Sequence, residues 1–344
     1  MASNKALAAL ALAVVLAVAV PTTRLSADPV EDFYRGRTVT FVIGSGEAGA
    51  YDLGGRLLAR YLARYIPGNP TIVPQNMPGA SSVRAASYVY SVAARDGTAL
   101  GMGQPTIVLH KLLDATATYE PKNFTWIGRL QPMTLVGIAW TSAANHTMAD
   151  ARARKLVVSA SGASGTSAVV PWALNRVAGT HFQVVTGYQS LIPQLLAMER
   201  GEVEGIGSAS LSDVLARQDW IKTGKVNFLY TIAAQRSSQL PDVPAIAEFA
   251  HNDLDRAVLR VLGSVTDIGF TIMAPPGVPA DRAASLRKAF DGVVRDPDFL
   301  AEADKIGLAP EPLSGEALQT LVADTLGATG ETVQELQQVT QPPR

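Results

Sequence analysis

The sequence predicts an α/β fold built on parallel sheets, and three observations carry that expectation. Val39 to Ile43 is a β-branched and aromatic run that ends in Gly44-Ser-Gly-Glu-Ala-Gly49, after which Leu53, Leu57, Leu58, Tyr61, Leu62 and Tyr65 recur at helical spacing. Arg56, Arg60 and Arg64 form the opposite, solvated stripe. Thr71-Ile-Val-Pro-Gln-Asn76 then reads as a second short strand, so the order is strand, helix, strand, which requires a parallel pair and a right-handed crossover. The same order returns at the strand Lys155 to Ser159, the loop Ala160-Ser-Gly-Ala-Ser-Gly-Thr-Ser167 and a helix carrying Val170, Leu174 and Val177.

A chain of 344 residues has room for two domains, at roughly 100–200 residues each. Its net charge of −1 and 17% charged residues offer no basic face for nucleic acid or an acidic membrane. The 47% apolar content is that of a globular protein. No cysteine is present, which removes disulfides, thiolate metal sites and a lipid-modified cysteine. His110, His146, His181 and His251 show no metal-ligand spacing, so neither a metal nor a cofactor is expected.

In chain order, Lys5 precedes an apolar run from Ala6 to Val20; Pro21 breaks it, and Leu25-Ser-Ala27 supplies a small-residue cleavage pattern. Residues 1–27 therefore read as a secretory signal. A signal-anchor is the alternative, but the run of about fifteen residues falls short of the ~20 that span a bilayer. The Gly44–Gly49 loop opens onto a helix start, where unpaired backbone N–H groups and the positive end of the helix dipole favour an anion; a β-α turn packed for its own sake is the other reading. Met77-Pro-Gly-Ala-Ser-Ser82 opens a helix with Ala85, Ala86, Val89 and Val92 on its buried side, and Asp96-Gly97 turns the chain into a strand, Thr98 to Met102, ending at Gly103-Gln-Pro-Thr106. Loops at the carboxyl ends of strands are where open α/β sheets place ligands.

Phe124 to Trp140 has two β-like runs and no helical period, and reads as a crossing into a second domain. In the repeated unit Pro171 is expected close to the helix start, where a missing N–H costs least. A third unit follows: strand Gln183 to Thr186, loop Gly187-Tyr-Gln-Ser190, helix Leu191 to Arg200 capped by Gly201, and strand Val203 to Ser208. Asp213 to Val226 reads as helix with a turn at Lys222 to Lys225, Val226 to Ile232 as strand, and Ile246 to Arg260 as helix. Phe270 to Met273 is taken as the return crossing, and the tail as amphipathic helix over 281–294, 298–306 and 315–339.

In order and spacing, the motifs resemble one family. They are Phe33-Tyr-Arg-Gly-Arg-Thr-Val, Gly49-Ala-Tyr-Asp52, Gln75-Asn-Met-Pro-Gly-Ala80, Asp96-Gly-Thr98, Ser161-Gly-Ala-Ser-Gly-Thr166, Val185-Thr-Gly-Tyr188, Gly201-Glu-Val-Glu-Gly205, Leu240-Pro-Asp-Val-Pro244 and Ala274-Pro-Pro-Gly-Val-Pro279. Together they resemble the periplasmic solute receptors of tripartite tricarboxylate transporters, the Bug receptors, over nearly the whole exported chain. The resemblance implies an α/β, two-domain periplasmic binding protein clamshell, type II-like, with two crossing strands: domain 1 from 28–130 plus 273–344, domain 2 from 131–272. It also implies a small organic acid held between the domains and integral-membrane transporter subunits as partners. A monomeric, periplasmic protein without a lipid anchor is expected.

The ligand's carboxylate is then expected between two opposed loops. One is Ser45, Gly46, Glu47, Ala48, Gly49, Ala50, Tyr51 and Asp52; the other is Ser161, Gly162, Ala163, Ser164, Gly165 and Thr166. Asp52 suits capping the backbone better than meeting the ligand. Gln104, Thr106, Tyr188, Gln189 and Ser208 are candidates for reading the rest of the molecule. The chain departs from the family at Glu47, where a small residue or proline is usual, and at Gln189-Ser190, where Lys-Gly is common. Glu47 either points to solvent or pairs with a cationic group on the ligand.

Two enzyme readings compete. Gly44 to Gly49 is a literal G-x-G-x-x-G, but a dinucleotide site needs an acid about 20 residues on, and Thr71 to Asn76 holds none. Ser285-Leu-Arg-Lys288 and Lys222-Thr-Gly224 match serine acyltransferase motifs, in reverse of the usual order.

Overall fold

A computed structural model describes residues 28–188, 190–237 and 239–342. The expected signal segment 1–27 and the candidate Gln189 lie outside the described residues. Helix α1 (Pro29–Tyr34) starts the chain, its first turn capped by the Asp28 carboxylate, which accepts from the Val30 N–H at 2.9 Å. Strand β1 (Thr38–Ile43), helix α2 (Ala50–Tyr65) and strand β2 (Thr71–Asn76) follow as the expected unit, with Thr38 opposite Thr71 in a parallel pair. Helix α3 (Val83–Ser91) leads to β3 (Ala99–Gly103), parallel to β1 on its other side. Helix α4 (Thr106–Leu113) and β4 (Thr125–Arg129) follow.

The second sheet begins at β5 (Leu135–Trp140) and continues through α5 (Met148–Ala153), β6 (Leu156–Ala160), α6 (Thr166–Val177), β7 (Phe182–Thr186), α7 (Leu191–Glu199) and β8 (Gly205–Ser210). Two short helices, α8 (Leu211–Leu215) and α9 (Gln218–Lys222), replace the single helix expected from Asp213, because the chain breaks at Ala216-Arg217. After β9 (Val226–Thr231), residues Ile246–Phe249 form only a 3₁₀ turn, and α10 (Asp253–Ile268) starts where Asn252 caps it, its side chain accepting from the Asp255 N–H at 2.8 Å. Strand β10 (Thr271–Ala274) then enters the first sheet, followed by α11 (Ala280–Val293), α12 (Pro297–Lys305), β11 (Leu313–Ser314), α13 (Gly315–Leu326) and α14 (Gly330–Val339).

The two sheets run β11-β4-β10-β3-β1-β2 and β7-β6-β8-β5-β9. Both are parallel through the βαβ units and antiparallel where β10, β4, β5 and β9 join. Each is covered on both faces, which is why strands such as Val39 to Ile43 are apolar almost throughout. Over the first sheet, Leu58, Tyr61, Phe290 and Phe299 pack on one face and Val89, Val108, Trp126 and Leu318 on the other. Over the second, Trp172, Leu174 and Leu262 oppose Leu195, Val214 and Trp220.

The sheets are joined at two adjacent segments. The Leu130 N–H donates to the Phe270 carbonyl and the Phe270 N–H to the Gln131 carbonyl, both at 2.9 Å, and the Met133 N–H reaches the Thr266 carbonyl at 2.8 Å. A third passage departs from the expectation that 273–344 stays with the first sheet. Gly327 ends α13, Thr329 caps α14, and Leu336 and Val339 then pack with Trp172 and Leu262 in the core of the second sheet. Amphipathic spacing marks such a helix without saying which core receives it.

Pro171 also departs from expectation, since it lies inside α6 rather than at its start. Proline cannot bond the carbonyl four residues back, here that of Ser167. Strand β8 passes so close at this point that a methyl group on Gly207 would stand 2.3 Å from that oxygen and 2.5 Å from Pro171 Cγ.

Candidate ligand-binding cleft

At the end of β1 the chain is held by one hydroxyl. Ser82 Oγ donates to the Gly44 carbonyl at 2.8 Å and accepts from the Gln104 N–H at 3.0 Å, so it ties the carboxyl ends of β1 and β3 together. Ser82 is fully buried and left-handed, at φ 73°. Beyond Gly44 the loop is closed by Asp52. Its carboxylate accepts from the Ala48 N–H at 2.9 Å, from Arg56 Nε at 2.8 Å and from Asn76 Nδ2 at 2.8 Å, and Asn76 also donates to the Ser45 carbonyl at 3.1 Å. Asp52 therefore builds the loop, and Asn76, which occupies the end of β2, does the same. The first intrahelical bond of α2 runs from the Leu53 N–H to the Gly49 carbonyl at 2.9 Å, so the N–H groups of Ala50 and Tyr51 have no partner within the helix.

Burial pushes the Asp52 carboxyl up, but Asn76, the Ala48 N–H and Arg56 together pull it below the ordinary value. Such a group stabilises the fold fully above its unfolded value, about 3.9, and loses that contribution as pH falls through the lower folded value. Asp52→Asn is expected to cost roughly 1.5–3 kcal/mol at pH 7 and less at about pH 3, below the unfolded value, where part of the contribution is already lost. Urea unfolding of both proteins at the two pH values checks this, and an undiminished gap in acid would contradict it.

In the second lobe, the Ser161 N–H donates to Ser167 Oγ at 3.2 Å, the Gly165 N–H to the Gly162 carbonyl at 3.2 Å, and Thr166 Oγ1 to Ser208 Oγ at 3.1 Å. Gly165 is the cap residue of α6, so here too a glycine loop at a strand's carboxyl end opens a helix. Gln194 lies beneath it, buried, accepting from Ser159 Oγ at 3.3 Å and donating to the Ser190 carbonyl at 3.1 Å.

These loops line one cleft of about 420 Å³ between the lobes. The first lobe contributes Ser45, Gly46, Ala50, Tyr51, Ser82, Gln104 and Thr106; the second contributes Ser161, Gly162, Ser164, Gly165, Thr166, Ser190, Gln194, Ser208, Ser210 and Asp213. Met133 and Phe270, from the joining segments, and Leu135, at the start of β5, line it as well. The Phe270 ring stacks on Tyr51 with centroids 4.1 Å apart and planes 3° from parallel. The Tyr51 hydroxyl is buried, which pushes its pKa well above the ordinary value, and it makes no hydrogen bond among the described residues.

Several sequence-predicted residues lie elsewhere. Glu47, Ala48 and Gly49 are exposed in the turn that Asp52 closes, and Ala163 is exposed in the second loop; none of them lines the cleft. Tyr188 packs against the apolar cluster of Val136 and Leu195, because its ring is better accommodated on that surface than in a polar cleft. Sequence reasoning missed Ser82, Ser190, Gln194, Ser210, Asp213 and Phe270. Ser82 had a signal, since it ends the Met77-Pro-Gly-Ala-Ser-Ser82 turn at a strand end; Gln194 and Asp213 sit within helical stretches that carried none. Ser285 belongs to α11 on the first lobe and Lys222 to α9 on the second, so the acyltransferase motifs are parted.

The lining holds no Lys, Arg or His among the described residues, and its one carboxyl is Asp213. Burial pushes the Asp213 carboxyl up, against smaller opposing effects of the Ser210 hydroxyl and Arg217. A larger hollow of about 610 Å³ adjoins along Gln131 to Leu135 and Thr231 to Ser237, but neither glycine loop reaches it. The smaller cleft is therefore the candidate. Among the described residues no group of acids and histidines could hold a metal, and no helix is long and apolar enough to cross a membrane.

A family model described as the tripartite tricarboxylate transporter family receptor matches residues 56–338. Among solved structures, the periplasmic binding protein BugD aligns at 20% identity and TM-score 0.66, over 89% of this chain and 98% of its own. MatC from Rhodopseudomonas palustris, solved with bound malate, aligns at 22% identity and TM-score 0.65, over 89% of this chain and 99% of its own. A second R. palustris protein, solved with adipate, aligns at 23% identity and TM-score 0.65, over 87% and 97%. No curated protein matches the sequence. At these identities the likeness to the solved structures is one of fold.

Proposed function

The chain belongs to the tripartite tricarboxylate transporter receptor family, whose members are periplasmic solute-binding receptors, and on that premise we propose that it captures a small carboxylate between its lobes and delivers it to integral-membrane transporter subunits. The observation that carries this reading is the placement of two glycine-loop helix starts, at Ala50 and Thr166, on one cleft that has no cationic side chain among the described residues lining it. An anion there is held by backbone N–H groups, by the hydroxyls of Ser45, Ser164 and Thr166, and by helix dipoles. Hydrogen bonds to a charged group contribute roughly 1.5–3 kcal/mol each and a helix start roughly 0.3–2 kcal/mol. Three or four bonds then reach the approximately −8 kcal/mol of a micromolar binder. The malate and adipate seen in two structural neighbours agree with a ligand of this class.

The proposal divides the mature chain into 28–130 plus 273–344 and 131–272, with α14 lying against the second lobe, and has the signal 1–27 removed. Neither loop alone supplies enough bonds, so the ligand stabilises the closed form by contacting both lobes at once. Binding residues are Ser45, Gly46, Ala50 and Tyr51 on one side and Ser161, Gly162, Ser164, Gly165 and Thr166 on the other, with Gln104, Thr106 and Ser208 reading the remainder.

A thermal-shift screen of mono-, di- and tricarboxylates, aromatic acids and amino acids tests the proposal. A ligand at about 100 times its dissociation constant adds roughly 2.7 kcal/mol, a shift of several degrees. Ser164→Ala with Thr166→Ala is expected to weaken binding by roughly 10–100-fold. An unchanged affinity in that variant, or an equal shift from the ligand's neutral ester, would sink the carboxylate clamp.

A further inference from the structure

We propose that Asp213 makes this cleft selective for carboxylates that also carry a nitrogen hydrogen-bond donor, an ammonium or an amide, over plain dicarboxylates. The inference rests on the carboxylate reading above and names the class of ligand. Asp213 lies in the first turn of α8, just past the carboxyl end of β8, and lines the cleft together with Ser208, Ser210 and the Ser164 to Thr166 loop. It makes no ion pair among the described residues. Arg217, the cation nearest to it in electrostatic effect, is engaged with Glu199 at 3.6 Å. Beside it the Ser210 hydroxyl lies 2.8 Å from that of Ser212, and Ser210 offsets only part of the effect of burial on the Asp213 carboxyl, so acceptor capacity remains on a carboxylate that can take about four hydrogen bonds.

The charges of the lining make the case for selectivity. A dicarboxylate bound in a closed cleft needs two cationic or donor-rich ends, and this lining offers helix starts for one carboxylate but, among the described residues, no Lys, Arg or His for a second. A second carboxylate would instead share the cavity with Asp213, and like charges brought together at a desolvated interface cost several kcal/mol. An ammonium or amide N–H in the same place gains a charge-assisted bond. Selectivity therefore comes from both the attraction and the repulsion. Glu47, the acid that sequence reasoning placed near the ligand, is exposed outside the cleft, so Asp213 is the acid available for the role.

The test is calorimetric titration of wild type and Asp213→Asn with length-matched probes: succinate, 4-aminobutanoate and succinamate; glutarate, 5-aminopentanoate, glutaramate and glutamine; adipate, 6-aminohexanoate and adipamate. Wild type is expected to bind its best nitrogen-bearing probe at least about tenfold more tightly than any dicarboxylate, and Asp213→Asn to lose that preference by weakening ammonium probes and tightening dicarboxylates. Amide probes should weaken less than ammonium probes in the variant, which tells the two donors apart. A dicarboxylate preferred by wild type, or a preference unchanged in Asp213→Asn, overturns the inference and leaves the carboxylate reading standing. If no probe carboxylate binds wild type, both fall. Ligand-free unfolding midpoints of Asp213→Asn and Asp213→Ser confirm folding, and the serine variant must lose the same preference.

Discussion

Gly269→Ala is expected to lower the ligand-free unfolding midpoint by roughly 5 °C or more. Gly269 sits in the second joining segment at φ 58° and ψ −139°, a combination that a side chain tolerates only at a cost of roughly 1–3 kcal/mol. A methyl group there would also stand 2.2 Å from the Gln131 carbonyl oxygen and 2.8 Å from Pro132 Cα, both backbone atoms of the other joining segment. Neither can rotate away. The Phe270 N–H bonds that same Gln131 carbonyl, and Phe270 stacks on Tyr51 at the cleft, so relief by moving the segment would also disturb the ligand site. Gly277→Ala is the control, since Gly277 is also left-handed at φ 81° but has open space around it. Its variant should lose only the conformational term, about 1–2 kcal/mol. Equal midpoints for the two variants would mean that the close approach of the joining segments is not a source of stability.

How much of this was legible in sequence depends on whether local pattern and tertiary role coincide. They coincide at β1, α2 and β2, where buried strand, amphipathic helix and turn each obey one period, and the glycine loop falls at the strand end as expected. They part at α4, whose Thr106-Ile-Val-Leu run is β-branched and apolar; five of its eight residues are buried between other helices, so no polar face announces a helix. The cleft was legible as far as it is made of strand ends. Ser45, Gly46, Ser161, Ser164 and Thr166, which line it, were singled out because glycine and small hydroxyl residues at such positions have a physical use. Phe270 was not, because its place at the cleft depends on two joining segments, more than a hundred residues apart in the chain, bonding to each other. Asp213 was hidden for another reason. An acid in a helical stretch is ordinarily a solvated residue, and only the packing of α8 against the strand end turns it toward significance.

Glycine has two distinct uses around this cleft, and they lead to opposite expectations for substitution. Gly207 in β8 is there for close packing: an alanine would press on the Ser167 carbonyl, which Pro171 leaves without its helical partner, and on the Pro171 ring, neither of which is flexible. The Gly207 carbonyl also accepts the buried Tyr230 hydroxyl at 2.8 Å, so the strand is pinned from its other side. Gly207→Ala is expected to cost roughly 3 kcal/mol or more, the upper range for overpacking a core, and to displace the start of α6, weakening carboxylate binding along with the fold. At Gly46 and Gly162 an added methyl group would have nothing within 4 Å, and neither residue has a positive φ, yet both line the cleft. Their alanine variants should unfold within about 1 kcal/mol of wild type while binding the carboxylate at least several-fold more weakly, because the methyl group stands where the ligand must approach the backbone. Paired denaturation and titration of the three variants separate these roles. A stable Gly207→Ala variant would show that the close approach of β8 to α6 is not a source of stability, and Gly46→Ala and Gly162→Ala variants that bind at full strength would show that the glycines of these loops serve the chain turn and not the ligand.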